Sequence, residues 1–267
     1  MKREVSARLD VRVHAATVLE FQIAVTRQAG LEVIERMDFW LDGWRVQARE
    51  VTGPHHTRIH VLDCGAGTLR VEYSATVLGV AQAEGASEYD RVVYLRPSRY
   101  AESDRLLAFA GAEFGCDISD PELPGRIAAW VGRRIRYLPG SSAPIDGAVE
   151  TLLSGAGVCR DYSHLTVALM RAVGLPARMT AVYAPGCVPM DFHSIVEVYT
   201  GDAWRAFDPA RLAPRSSVVR IATGRDASDI AFLVNHGGDI TMNGLWVNAF
   251  VEGPLPSDDI TQAITIG

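Results

Sequence analysis

Three residues of this 267-residue chain have the types and the order needed for nucleophilic catalysis: Cys159, His193 and Asp208. A thiol attacks carbonyl carbon as its thiolate. It therefore needs a base to take its proton and a third group to hold that base in the right tautomer. Cys159 follows Gly155-Ala156-Gly157-Val158, and the next stretch has a helical period: Val158, Tyr162, Leu165, Leu169 and Val173 recur on one face. Gly174-Leu175-Pro176 is a stop signal for that helix. Cys159 is thus expected in the first helical turn, where unpaired N–H groups and the positive end of the macrodipole favour an anion.

The segment Phe192–Tyr199, then Thr200-Gly201-Asp202, then Ala203–Phe207 and Asp208-Pro209 reads as strand, turn and strand. An even-numbered loop around Thr200-Gly201 pairs Tyr199 with Asp202, Glu197 with Trp204 and His193 with Asp208. A register shifted by one pair leaves His193 and Asp208 diagonal on the same face, and an odd loop sends them to opposite faces. Asp161 reads as a helix-start carboxylate, since its charge would oppose a thiolate. His164 lies too far round the helix to face Cys159. Glu197 shares a strand face with His193, with a structural role preferred. Trp130 and Trp204 are expected to pack, and the carboxylates of Gly224–Asp229 to build a turn.

These elements need a scaffold. The first hundred residues read as β-rich, with alternation at Val5–Val13 and His56–Leu62 and further strands at Leu69–Tyr73 and Val92–Leu95. Asp42-Gly43 is a hairpin signal. Composition shifts near Arg96-Pro97-Ser98, dividing a β-rich N-terminal domain, 1–96, from a catalytic domain, 97–267. Helices are expected around Leu106–Ala110, after Asp120-Pro121-Glu122 and after Cys159, with antiparallel strands following. Helices first and strands after means α+β.

The composition narrows the function classes. A net charge of −6 disfavours nucleic acid as a partner. Met1–Val5 leads into no apolar run, and no stretch reaches the ~18 apolar residues of a membrane span. Cys64, Cys116, Cys159 and Cys187 are widely spaced, with no C-x-x-C pair, so neither structural zinc nor a disulfide framework is expected and a reducing cytoplasm is the natural setting.

Gly157–Leu165, Leu169–Arg178, and His193, Glu197, Tyr199, Trp204 with Asp208-Pro209 together resemble the transglutaminase-like superfamily. Its three blocks carry Cys, His and Asp in this order. The resemblance implies a papain-like α+β core with the cysteine helix packed on an antiparallel sheet, preceded by a sandwich-like β-rich domain. It also implies Cys159 as nucleophile, His193 as base and acid, and Asp208 as the group orienting His193. Two positions depart from the pattern: Ile195, where tryptophan is frequent, and Val182 before Tyr183, where glycine is usual. The expected activity is amide acyl transfer through a thioester on a peptide or protein substrate, with hydrolysis preferred over transfer to an amine. No cofactor is required. Two other classes stay open: a metal site built from the same three side chains, and a non-catalytic peptide-binding or assembly protein of this fold.

Overall fold

The computed structural model describes residues 1–259 and 262–266. Seven strands come first: β1 (Lys2–Val13), β2 (Thr17–Phe21), β3 (Leu31–Leu41), β4 (Trp44–Val46), β5 (Arg49–Thr52), β6 (Arg58–Cys64) and β7 (Gly67–Gly79). The β1 residues alternate strictly between the core and the outer face, as a half-buried antiparallel strand requires. Asp42-Gly43 joins β3 to β4 with both residues at positive φ (49° and 84°), the two-residue hairpin turn its sequence signals. Helices α1 (Glu88–Val93), α2 (Leu107–Phe114) and α3 (Leu123–Arg134) follow. Then come β8 (Arg136–Tyr137), α4 (Ala148–Ser154), β9 (Ala156–Gly157) and α5 (Cys159–Ala172). The chain continues through β10 (Ala177–Tyr183), β11 (His193–Thr200), β12 (Ala203–Phe207), β13 (Val219–Gly224), α6 (Ala227–Ile230), β14 (Leu233–His236) and β15 (Ile240–Val251).

The fold is α+β, with a four-stranded antiparallel sheet and its helices joined to a β-rich sandwich-like part. One sheet runs β15-β1-β7-β3-β4 and a second runs β14-β2-β6-β5. They meet through Leu9, Leu19, Phe21, Phe39 and Leu62, with the Phe21 and Phe39 rings edge-on at 5.5 Å. The third sheet, β12-β11-β10-β13, is antiparallel and carries α5. Tyr183 of this sheet donates to the Ile23 carbonyl at 2.7 Å, and its ring stacks on Tyr73. One apolar core therefore continues from one half of the molecule into the other.

Two expectations need correction. Val92–Leu95 is not a strand, because α1 ends at Val93. Ser87 caps the Asp90 N–H while the Asp90 carboxylate accepts the Ser87 N–H, and this capping box outweighs two β-branched residues. The segment 97–267 also does not stay together in space. β14 pairs with β2 and β15 pairs along β1 from Arg3↔Val251 to Val13↔Ile240, so both return to the β-rich sheets. This covers one edge of β1 that would otherwise leave a long unpaired ladder.

The α5 helix is more central than its periodicity suggests. Every residue from Asp161 to Ala172 is buried, because α3, α4, β10 and β11 surround it. Its polar residues mostly have partners there. Arg171 donates to the carbonyls of Arg96, Ala177 and Arg225 and to the Ser98 hydroxyl, tying the helix end to three segments. The stop at Gly174 (φ 92°) closes with Leu175 N–H donating to the Met170 carbonyl.

Candidate active site

Cys159 is the first residue of α5 and is half-buried. The turn that delivers it is held rigidly. Gly155 takes the left-handed conformation (φ 66°) that ends α4, and Ala156-Gly157 then pairs in parallel with Arg136-Tyr137. Asp161 folds its carboxylate back over the turn, accepting the Val158 N–H at 2.8 Å and the Ser142 hydroxyl at 2.6 Å, and it pairs with Arg160 at 3.0 Å. A Cβ at residue 157 would lie 2.5 Å from the Asp161 Cβ, so only glycine lets this carboxylate reach its place. Asp161 is thus the helix-start carboxylate that its position suggests.

His193 opens β11 and Asp208 directly follows β12. The turn between the strands is Gly201-Asp202, both at positive φ (58° and 67°), with Thr200 opposite Ala203 and Val196 opposite Phe207. The pairing is one step from the direct opposition of His193 and Asp208. A turn at Thr200-Gly201 would have forced β-branched Thr200 to positive φ, whereas aspartate tolerates it. The loop stays even-numbered, so the diagonal arrangement keeps both residues on one face. His193 Nε2 and Asp208 Oδ2 are 2.9 Å apart.

Asp208 is 8% exposed, and its carboxylate is fully engaged. Oδ1 accepts the Ala210 N–H at 3.1 Å, and Oδ2 also accepts the Leu212 N–H at 3.0 Å. Burial pushes this carboxyl up, but the charge and hydrogen bond of His193, with backbone N–H groups, hold it below the usual carboxylate range. Burial likewise pushes the His193 imidazole down. The Asp208 charge and hydrogen bond, and then Cys159, outweigh burial and raise it well above its usual value. For Cys159, burial pushes the thiol up, yet His193 and the hydroxyl and N–H of Ser194 bring it below an ordinary thiol. His193 Nδ1, buried and without another hydrogen-bond partner, is the ring nitrogen not used by Asp208. His193 is hydrogen-bonded to Asp208, and the shifts of imidazole and thiol both favour the charged thiolate–imidazolium form.

Sequence spacing did not reveal Ser194. Its hydroxyl lies 3.2 Å from that of Ser163, which also donates to the Ser194 carbonyl at 3.1 Å, pinning β11 to α5. The other candidates are structural. The His164 Nε2 accepts the Ala227 N–H at 3.2 Å, and its ring stacks on Tyr100. Glu197 is buried between Arg178 (2.8 Å) and Arg220 (2.7 Å) and also accepts the Thr180 hydroxyl. Trp204 packs under the Arg178 guanidinium, and Trp130 packs edge-on to Phe109 and Phe114. Asp226 caps α6, and Asp229 pairs with Arg225, so their carboxylates build the turn. Ile195 packs with Val182, Ala206 and Ile266 in a small second apolar cluster, away from α5. Among the described residues, no three His, Cys, Asp or Glu side chains converge with metal-ligand spacing, and Asp208 Oδ2 is already committed to His193.

A half-buried thiol at a helix start and an imidazole held by a carboxylate on the adjoining sheet make up the candidate site on this α+β core. Residues 118–209 match the family model of the transglutaminase-like superfamily. The crystal structure of a candidate cysteine protease from Cytophaga hutchinsonii superposes with a TM-score of 0.88 at 28% identity, over 98% of this chain and 96% of that one. An uncharacterized protein of Mycobacterium leprae is 23% identical over 205 residues, 73% of this chain and 72% of its own length. The periplasmic domain of TgpA from Pseudomonas aeruginosa has a TM-score of 0.43 at 16% identity, over 78% of this chain and 90% of that one. No helix among the described residues is long and apolar enough to cross a membrane.

Proposed function

We propose that this protein is a cysteine amidohydrolase, acting on a peptide bond or a glutamine-type amide of a peptide or protein. The observation that carries this reading is the buried His193–Asp208 hydrogen bond at 2.9 Å, with Cys159 at the head of α5, the imidazole raised and the thiol lowered. The Cys159 sulfur attacks the carbonyl carbon, and the carbonyl π pair moves to oxygen. Collapse of that intermediate breaks the C–N bond, and the amine leaves with the proton held by His193. His193, now neutral, takes a proton from water. The hydroxide attacks the thioester, and the thiolate leaves as His193 becomes imidazolium again. Asp208 holds the Nε2–H tautomer and offsets the positive charge at both stages.

Hydrolysis is favoured over transfer to an amine because water is always present, whereas an acceptor amine has to be bound. An amine competes with water only where a pocket binds it and excludes solvent. The four cysteines are unpaired, which suits a reducing compartment, and we place the protein in the cytoplasm. The test is a glutamine-containing peptide library incubated with and without a millimolar primary amine. The expected result is ammonia or cleaved peptide without added amine, little amine incorporation, and no reaction with Cys159→Ala. Product that mostly carries the amine would make the protein a transglutaminase. Wild type no more active than Cys159→Ala would leave it a binding protein.

A further inference from the structure

Attack by Cys159 on a carbonyl generates an oxyanion, and its N–H, at a helix start with no carbonyl one turn earlier, is one natural donor to that oxygen. We propose that the Tyr137 hydroxyl is the second. This rests on the cysteine acyl-transfer reading and extends it to a residue outside the Cys, His and Asp set.

Backbone geometry places Tyr137 at the nucleophile. The Arg136 N–H donates to the Gly155 carbonyl and the Leu138 N–H to the Gly157 carbonyl, both at 2.9 Å, so Tyr137 is held in register with Gly157, two residues before Cys159. Its ring lies 6.0 Å from that of Tyr162, whose own hydroxyl donates to the Ile135 carbonyl. That second tyrosine, buried on α5, is the surface against which the first is set. Tyr137 itself is 37% exposed, so it sits at the mouth of the site rather than inside the core.

The surroundings of the hydroxyl suit a hydrogen-bond donor. The Cys159 backbone N–H is among the groups that act on the phenol oxygen. Burial pushes the phenol up, as do the sulfurs of Cys159 and Cys187 and the Asp191 carboxylate, to about 12. The phenol therefore stays protonated wherever the thiolate–imidazolium pair exists. Ser194, another polar side chain against the thiol, is engaged with the sulfur and with Ser163. When the Sγ–C bond forms, the new oxyanion accepts the Cys159 N–H and the Tyr137 O–H. No proton leaves the tyrosine. Both hydrogen bonds weaken when the C=O bond is restored and the C–N bond breaks.

The test compares a reaction that develops an oxyanion with one that does not, in wild type and Tyr137→Phe. Phenylalanine keeps the ring against Tyr162 and removes only the hydroxyl. Acylation is read as the p-nitrophenolate burst from p-nitrophenyl acetate, and thiolate reactivity as Cys159 alkylation by iodoacetamide. The expected result is a roughly 100-fold slower burst, the loss typical of one oxyanion donor, with alkylation changed less than about twofold. An unchanged burst overturns the proposal. So does a parallel loss in both reactions, which would assign Tyr137 to the thiol instead. If wild-type Cys159 reacts with neither reagent ahead of exposed Cys116, the acyl-transfer reading itself fails and takes this proposal with it.

Discussion

Replacing Asp208 with asparagine removes one charge from the centre of the site and changes little of its shape. The His193 Nε2 to Asp208 Oδ2 separation is 2.9 Å. Two unit charges at that distance interact by about 6 kcal/mol at an effective dielectric of about 20. At 1.36 kcal/mol per decade, that is about four powers of ten in the stability of the imidazolium. Turnover should fall by about that factor, because His193 must be charged when it protonates the leaving amine. The variant also loses some stability. Oδ1 accepts the Ala210 N–H while Oδ2 accepts both His193 and Leu212, so an amide nitrogen in either position faces a donor. One mismatched buried hydrogen bond costs about 1–3 kcal/mol. Initial rates of ammonia or peptide release, with denaturant unfolding of the same preparations, separate the two effects. Turnover within threefold of wild type in a folded Asp208→Asn protein would remove Asp208 from the mechanism.

Two further variants test the scaffold around the site. Gly157→Ala puts a Cβ 2.5 Å from that of Asp161, and neither atom can rotate away. It should cost about 1–3 kcal/mol in urea unfolding and displace Cys159 enough to lower activity more than stability; unchanged activity would show that the Asp161 clamp is dispensable. Glu197→Gln leaves Arg178 and Arg220 buried without their carboxylate and should cost about 3–5 kcal/mol. Burial pushes Glu197 up, but the two arginines hold it well below its unfolded value. Its contribution is therefore complete above the unfolded pKa, near 4.3, and is lost as pH falls from there toward the folded one. Unfolding free energy measured from pH 7 to 3 should show a steeper acid loss in wild type than in Glu197→Gln, and identical slopes would refute the assignment.

The parts of the site that sequence made legible are those fixed by local rules. Glycines before a 3.6-residue period and Gly174 after it placed Cys159 at the head of α5. Loop parity alone put His193 and Asp208 on one face, and parity survived although the turn lay one residue later than its composition suggested. What escaped is long-range. The burial of α5 on all sides reflects four neighbouring elements, and its period reports only one face. The return of β14 and β15 to the β-rich sheets depends on pairing across more than two hundred residues, for which alternation gives no address. α1 was misread because two valines and a tyrosine outweighed the short Ser87/Asp90 capping signal. Tyr137 reaches the site through a two-residue parallel ladder too short to leave a pattern, and Ser194 through a contact with Ser163.

The central claim is that Cys159 is a thiolate sustained by His193. The most direct measurement is the pH dependence of its iodoacetamide alkylation, read residue by residue by peptide mass spectrometry. An ordinary thiol, with a pKa of about 8.5, loses nearly a hundredfold in thiolate population between pH 8 and pH 6. The account predicts that Cys159 loses less than about threefold over that range and is labelled ahead of exposed Cys116 at pH 6. It also predicts that His193→Ala restores ordinary tenfold-per-unit behaviour. A wild-type Cys159 whose rate falls in parallel with an ordinary thiol, or the labelling of Cys116 first at pH 6, would contradict it.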